Sequence, residues 1–197
     1  MHIRRFGRDH LLVELDDSQQ ALALYDEARR RRVDASDIVS GACTVVFEGV
    51  ADVVALETSL HDWDARPSAS SGELVEVPTT YDGEDLEDVA RLWDMTRDEV
   101  VATHTAHELV VAFCGFAPGF PYCTGLPERL AVPRLESPRP RVPAGAVGLA
   151  GPFTGIYPTA SPGGWRLLGR TELRLWDADR DPPATLRPGT RVRFVVT

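Results

Sequence analysis

Gly115-Phe116-Ala117-Pro118-Gly119-Phe120-Pro121-Tyr122 opens the half of the chain whose reading decides the fold. From Leu109 onward Gly and Pro recur every few residues, through Val142-Pro143-Ala144-Gly145, Thr154-Gly155-Ile156-Tyr157-Pro158 and Ser161-Pro162-Gly163-Gly164-Trp165. A helix does not propagate through such punctuation, because proline lacks an N–H and glycine weakens every turn. The apolar segments between are short: Leu109 to Phe113, Val147 to Ala150, Trp165 to Leu168, Leu173 to Trp176 and Val192 to Val196. Short strands at this spacing predict a closed or nearly closed β-barrel over residues 109–197.

Upstream, strand-like and helix-like periods alternate. Ile3 to Phe6 and Leu11 to Glu14 flank a Gly7-Arg8 turn. Ser18 is placed to cap a segment whose apolar residues Ala21, Leu22, Leu24, Tyr25 and Ala28 share one helical face. Ile38-Val39 and Thr44 to Phe47 read as strands, Val53, Val54, Leu56 and Leu60 as a second helix, and Glu73 to Val77 as a last strand. That order, β-α-β-β-α-β, predicts a ferredoxin-like sandwich over residues 1–78, with Pro67 to Gly72 as a loop tip. Leu86, Val89, Ala90 and Trp93, then the capping box Thr96-Arg97-Asp98-Glu99, predict two bridging helices over residues 79–108. The fold class is α+β.

Thirty acidic residues against 21 basic ones give a formal charge of -9, which argues against a nucleic-acid partner. The run Arg29 to Arg32 reads as the last turn of a helix, where cations suit the dipole. Three cysteines without a C-x-x-C pair predict core thiols in a reducing compartment, neither a disulfide framework nor a zinc site, and no other metal site is indicated. The longest apolar stretch, near Val110 to Phe120, is too short and too rich in Gly and Pro to span a bilayer. A soluble, cytoplasmic protein without a membrane partner is expected.

The sequence has no phosphate-binding P-loop, G-x-S-x-G elbow, H-E-x-x-H helix or dinucleotide fingerprint. The chemistry-bearing residues gather beside the glycine-rich turns instead. Such turns either form barrel corners or bring backbone N–H groups close to a ligand. The neighbouring Arg, Tyr, Ser and Thr favour a ligand and make Gly119, Tyr122, Thr154, Tyr157, Ser161, Gly163, Gly164 and Trp165 candidate substrate-binding residues. His104, on the packed side of its helix, is either a satisfied core histidine or a general acid or base. Arg134 and Arg139, each after a proline, are solvated loop residues or clamps for a carboxylate or phosphate, and with His104 they complete the catalytic candidates. Trp165 suits a pocket wall or the core equally. The acidic run Asp82 to Asp88 is read as helix-dipole compensation without a catalytic role.

The ordered motifs Gly115 to Tyr122, Pro133-Arg134, Val142 to Gly145, Thr154 to Pro158, Ser161 to Trp165 and Gly169-Arg170-Thr171 closely resemble the family that holds the 5-oxoprolinase B subunit, allophanate hydrolase subunit 1 and the Kip inhibitor. The resemblance extends through Tyr81 to Leu86, His104, Pro188-Gly189 and Val192 to Phe194. It implies an N-terminal ferredoxin-like domain followed by a C-terminal cyclophilin-like β-barrel. It also implies work beside a larger subunit with a related barrel, of the 5-oxoprolinase C-type or allophanate hydrolase subunit 2 kind, and beside a 5-oxoprolinase protein of the A type. Such an assembly opens 5-oxoproline to glutamate at the expense of ATP, while one branch of the family inhibits a sporulation histidine kinase. Phe153 departs from the family pattern where glutamine is typical, and Ala146 where serine is common.

Overall fold

A computed structural model describes residues 1–63 and 72–197, and the expected loop tip lies largely outside the described residues. The chain divides into two compact units, Met1–Ser71 and Gly72–Thr197. Among the described residues no helix is long and apolar enough to cross a membrane.

The first unit carries strands β1 (His2–Phe6), β2 (His10–Glu14), β3 (Asp37–Ser40) and β4 (Thr44–Glu48) with helices α1 (Ser18–Arg31) and α2 (Val53–Leu60). Its sheet runs β1-β2-β4-β3, every pair antiparallel. Leu11, Val13, Val45 and Phe47 alternate onto one sheet face and pack against Ala21, Leu24 and Ala28 of α1 and Leu56 and Leu60 of α2. The cap of α1 is Asp17, one residue ahead of the serine expected, and its carboxylate accepts from Gln19 N and Gln20 N. Arg29, Arg30 and Arg31 fill the last turn as expected, and Arg30 and Arg31 reach back to Glu27. Cys43 is exposed rather than a core thiol.

The second unit contains β5 (Leu74–Thr79), α3 (Leu86–Trp93), α4 (Arg97–Ala106), β6 (Leu109–Cys114), β7 (Pro121–Thr124), β8 (Arg139–Val142), β9 (Ala146–Ala150), β10 (Phe153–Ile156), β11 (Ser161–Gly163), β12 (Arg166–Arg170) and β13 (Arg191–Val196). Seven of these strands form one sheet, β12-β9-β10-β7-β6-β13-β5, while β8 and β11 pair separately. Its two edges meet: Thr80, just past β5, exchanges 2.9 Å backbone hydrogen bonds with Arg170 at the end of β12. The sheet is therefore nearly a closed barrel, which removes exposed edges.

β5 corrects the sequence reading. It pairs in parallel with β13, from Leu74↔Arg191 to Thr79↔Val196, and so belongs to the barrel rather than to the first sheet. The edge place expected for it beside β2 is taken by β1, paired from His2↔Glu14 to Phe6↔His10. The two helices expected as a bridge are integral to the second unit. Leu86, Val89, Ala90, Trp93 and Val100 share one cluster with the barrel residues Leu149 and Leu168. α4 opens with the predicted capping box of Thr96 and Glu99.

Candidate functional site

Strand alternation assigns the candidate residues to two opposite faces of the barrel sheet. Cys123, Val147, Ile156, Val192 and Phe194 point into the barrel and form its core. Thr154 lies opposite Cys123 and shares that inward face. The next residue in register, Gly155, opposes both Tyr122 and Gly148 on the outward face. A Cβ at Gly155 would come within 2.7 Å of the Trp165 ring and 2.8 Å of the Phe120 ring. The bare backbone there is the floor on which these two aromatic rings rest.

The outward face carries an aromatic cluster. Phe120 meets Tyr157 edge-on at 5.1 Å and Trp165 at 5.3 Å, while Tyr122 lies 5.4 Å from Trp165 and stacks on Phe113 at 4.2 Å. Phe153 adds a ring edge-on to both Phe113 and Tyr122. Offset and edge-to-face contacts of this kind fix ring orientation as well as burying area. Gly163 lies directly on the Tyr157 hydroxyl, with 2.2 Å between the phenol oxygen and any Cβ placed there. Burial raises the Tyr157 phenol above its ordinary pKa, opposed by the Trp165 backbone and by Arg134. Burial raises Tyr122 likewise, and the Arg134 cation again opposes it.

Arg134 is the charged partner of this wall. Leu135 N donates to Gly164 O at 2.8 Å, and a Cβ at Gly164 would lie 3.9 Å from Arg134 Cβ, so the 133–138 segment rests on the Gly163-Gly164-Trp165 turn. Arg134 itself is exposed and makes no hydrogen bond or ion pair among the described residues. Ser161 stands two residues before Gly163, its Oγ buried without a hydrogen-bond partner among the described residues. Gly119, at φ 79°, closes the turn leading into Phe120, and a Cβ there would lie 3.0 Å from Trp176 Cβ and 3.1 Å from Leu175 O.

Arg139 is committed elsewhere. Its Nη2 donates to both oxygens of the Asp85 carboxylate at 2.7 and 2.8 Å, its Nε meets Glu84 at 2.7 Å and its Nη1 donates to Trp165 O at 3.2 Å. Burial disfavours its charge, but the Asp85 and Glu84 carboxylates outweigh that and raise its pKa. Asp85, 4% exposed, also accepts from Leu167 N at 2.6 Å. The brace thus fastens the start of α3 to both ends of the Trp165-Arg166-Leu167 segment. Sequence reasoning passed over Asp85 as one of five neighbouring acids.

His104 and Thr154 belong to the inward face, which sets them apart from the aromatic wall. His104 is fully buried, 4.5 Å from the Phe194 ring, with Nδ1 at 2.6 Å from the Tyr81 hydroxyl and Nε2 at 3.3 Å from Thr154 Oγ1. Burial, with a contribution from His107, holds its pKa down at about 3. The ring is neutral at working pH and each of its nitrogens has a hydroxyl partner. The unfolded chain binds this proton near pH 6.5 and the folded chain does not. Stability therefore falls as pH drops below about 6.5, by about 1.4 kcal/mol per pH unit until about pH 3. Urea unfolding of wild type and His104→Gln between about pH 6.5 and pH 4.5 is expected to give the variant a flatter slope by that amount.

A model of the carboxyltransferase domain, subdomain C and D, matches residues 1–186. The chain belongs to this family. Its relatives include the 5-oxoprolinase B subunit of Bacillus subtilis, 50% identical over 125 residues, which are 62% of this chain and 52% of the relative. The 5-oxoprolinase B subunit of Haemophilus influenzae is 43% identical over 136 residues, 68% of this chain and 64% of the relative. The chain thus matches between about half and two thirds of the length of these curated relatives. Among solved structures of the same fold, TTHA0988 superposes with a TM-score of 0.81 at 34% identity, covering 96% of this chain and 40% of that one. The conserved uncharacterized protein PH0987 from Pyrococcus horikoshii gives 0.61 at 33% identity, covering 100% and 97%. Kluyveromyces lactis urea amidolyase, at 21% identity, shares the fold, with a TM-score of 0.71 over 99% of this chain and 15% of the enzyme. The fold superposed on these structures is mixed α/β, with the nearly closed barrel in the second unit.

Proposed function

We propose that the chain is the smaller subunit of a cytoplasmic, ATP-dependent hydrolase of the 5-oxoprolinase type, opening 5-oxoproline to glutamate beside a larger barrel protein of the C type and a third protein of the A type. In this reading the first unit is a ferredoxin-like sandwich in which β1 supplies the fourth strand. The second is a cyclophilin-like barrel whose outward aromatic face is half of the substrate pocket. Support comes from the identity to the B subunit of 5-oxoprolinase and, above all, from a guanidinium unpaired among the described residues beside a wall of ordered aromatic rings.

That pairing suits the proposed substrate. A lactam of this kind is a small flat ring bearing one carboxylate. Arg134 meets the carboxylate, and the partly exposed Tyr122 meets the ring, backed by the buried Phe120 and Trp165. The amide is resonance-stabilised and hydrolyses slowly unassisted. ATP, used by the assembly, supplies activation of the amide oxygen by phosphoryl transfer. The chain itself binds, orients and sheds water from the ring. His104 does not move a proton in this scheme. It is a positioning residue that fixes Thr154, and so the adjacent Gly155 floor beneath Trp165 and Phe120.

The test is ATP-dependent glutamate release from 5-oxoproline by the chain co-expressed with both partner proteins. Turnover by the three together, and none with this chain omitted, is the expected result. Glutamate release without this chain, or by this chain alone, overturns the shared pocket.

A further inference from the structure

Arg134 is exposed, yet the backbone on either side of it is tied down. Before it, Val132 N donates to Gly151 O at 3.1 Å and Val132 O accepts from Gly151 N at 2.7 Å. After it, Leu135 N donates to Gly164 O at 2.8 Å. Between these two, the Pro133 carbonyl accepts from Arg166 Nε at 3.0 Å. That carbonyl shares one rigid peptide plane with the nitrogen of Arg134, so holding the oxygen holds the plane from which the Arg134 side chain starts.

Arg166 is built for this hold. Its side chain is only 16% exposed, and its Nη1 donates to Asp88 of α3 at 3.4 Å. The other oxygen of Asp88 pairs with Arg91. In β12 Arg166 lies opposite Leu149, which packs in the cluster of α3, whereas its neighbours Trp165 and Leu167 belong to the aromatic cluster. Strand alternation thus puts Arg166 on the side of β12 away from the aromatic wall, and it acts on Arg134 through Pro133.

We propose that Arg166 is a positioning residue for Arg134, fixing the Pro133 carbonyl and with it the peptide plane from which Arg134 reaches the substrate carboxylate. The carboxylate rests on the proposed function, and the hold on the segment rests on the geometry. An arginine that grips an anion loses side-chain freedom, and a backbone already fixed confines the cost to the side chain.

A double-variant cycle separates positioning from a purely structural role. Arg166→Met keeps much of the stem and removes the donor to Pro133. In the assembled enzyme it is expected to raise KM for 5-oxoproline about fivefold, with kcat within about twofold. In the Arg134→Met background the same change moves KM by less than about 1.5-fold, because no guanidinium is left to position. Arg166→Gln retains an N–H near the place of Nε and is expected to return KM to within about twofold of wild type. Equal losses in both backgrounds, no loss in either, or a glutamine variant as poor as methionine overturns the assignment. If Arg166→Met does not fold, Arg166→Thr takes its place in the cycle, being β-branched for a strand and too short to reach Pro133.

Amide hydrogen exchange reads the hold without turnover. The Leu135 amide is expected to exchange about tenfold faster in Arg166→Met than in wild type, with the amides of β9 and β10 unchanged. Should the wild-type assembly release no glutamate, the proposed function fails separately and this exchange decides the hold. Unchanged Leu135 exchange, or equal acceleration throughout the barrel, ends it.

Discussion

On the proposed function, replacing Arg134 with methionine is expected to lower kcat/KM for 5-oxoproline by about 100-fold in the assembly and to leave the urea midpoint of the chain unchanged. The magnitude follows from charge-assisted hydrogen bonding, worth about 1.5–3 kcal/mol, with about 1.4 kcal/mol for each factor of ten. The unchanged stability follows from geometry, because Arg134 is exposed and has no ion pair or hydrogen bond to lose among the described residues. Methionine keeps much of the stem length and apolar contact, so the change isolates the guanidinium. Lysine is expected to recover only part of the loss, since an ammonium offers a point charge where the fork grips two oxygens. Steady-state kinetics with saturating ATP reads the effect. A variant within about threefold of wild type would move the carboxylate site elsewhere.

Much of this was legible in the chain. Glycine and proline placement from Leu109 onward rules out long helices, and four of the five apolar segments between them are the barrel strands β6, β9, β12 and β13, whereas Leu173 to Trp176 forms no strand. The turns that carry Arg134, Tyr157 and Trp165 are stacked on one another through Gly163 and Gly164, with Tyr157 and Trp165 buried and Arg134 exposed. The failures have a common physical origin. The alternation in Glu73 to Val77 marks a strand but carries no information about which sheet completes its hydrogen bonds, and β13, far along the chain, took them.

Thr154 illustrates the same limit at single-residue scale. Its flanking residues Phe153 and Gly155 give no apolar alternation from which to assign it a face, and register with Cys123 sets it inward toward His104. The left-handed backbone of Phe116 had only an indirect signal in the flanking Gly115 and Gly119. Asp85 had none at all: among Asp82, Glu84, Asp85, Glu87 and Asp88, only tertiary contact with an arginine 54 residues away distinguishes it.

That contact carries the largest expected effect on stability. Asp85→Ala leaves the Arg139 guanidinium, whose side chain is only 18% exposed, without its buried counter-charge, and leaves Leu167 N without an acceptor. Breaking a buried pair from one side costs about 3–5 kcal/mol, a large share of the about 5–15 kcal/mol that holds a domain folded. Glu84 does not rescue it, since an ion pair with a carboxylate that is 64% exposed contributes about 1 kcal/mol or less. Removing both charges is milder than removing one, because no uncompensated ion remains buried. Asp85→Leu with Arg139→Leu is therefore expected to unfold at higher urea than Asp85→Ala, short of wild type by about the 1–3 kcal/mol that the orphaned Leu167 N–H costs. Equilibrium urea unfolding of the wild type, Asp85→Ala and the double variant measures all three. A loss under about 1 kcal/mol in Asp85→Ala, or a double variant weaker than the single, would mean that the brace is solvated and that Trp165 is held by its ring contacts alone.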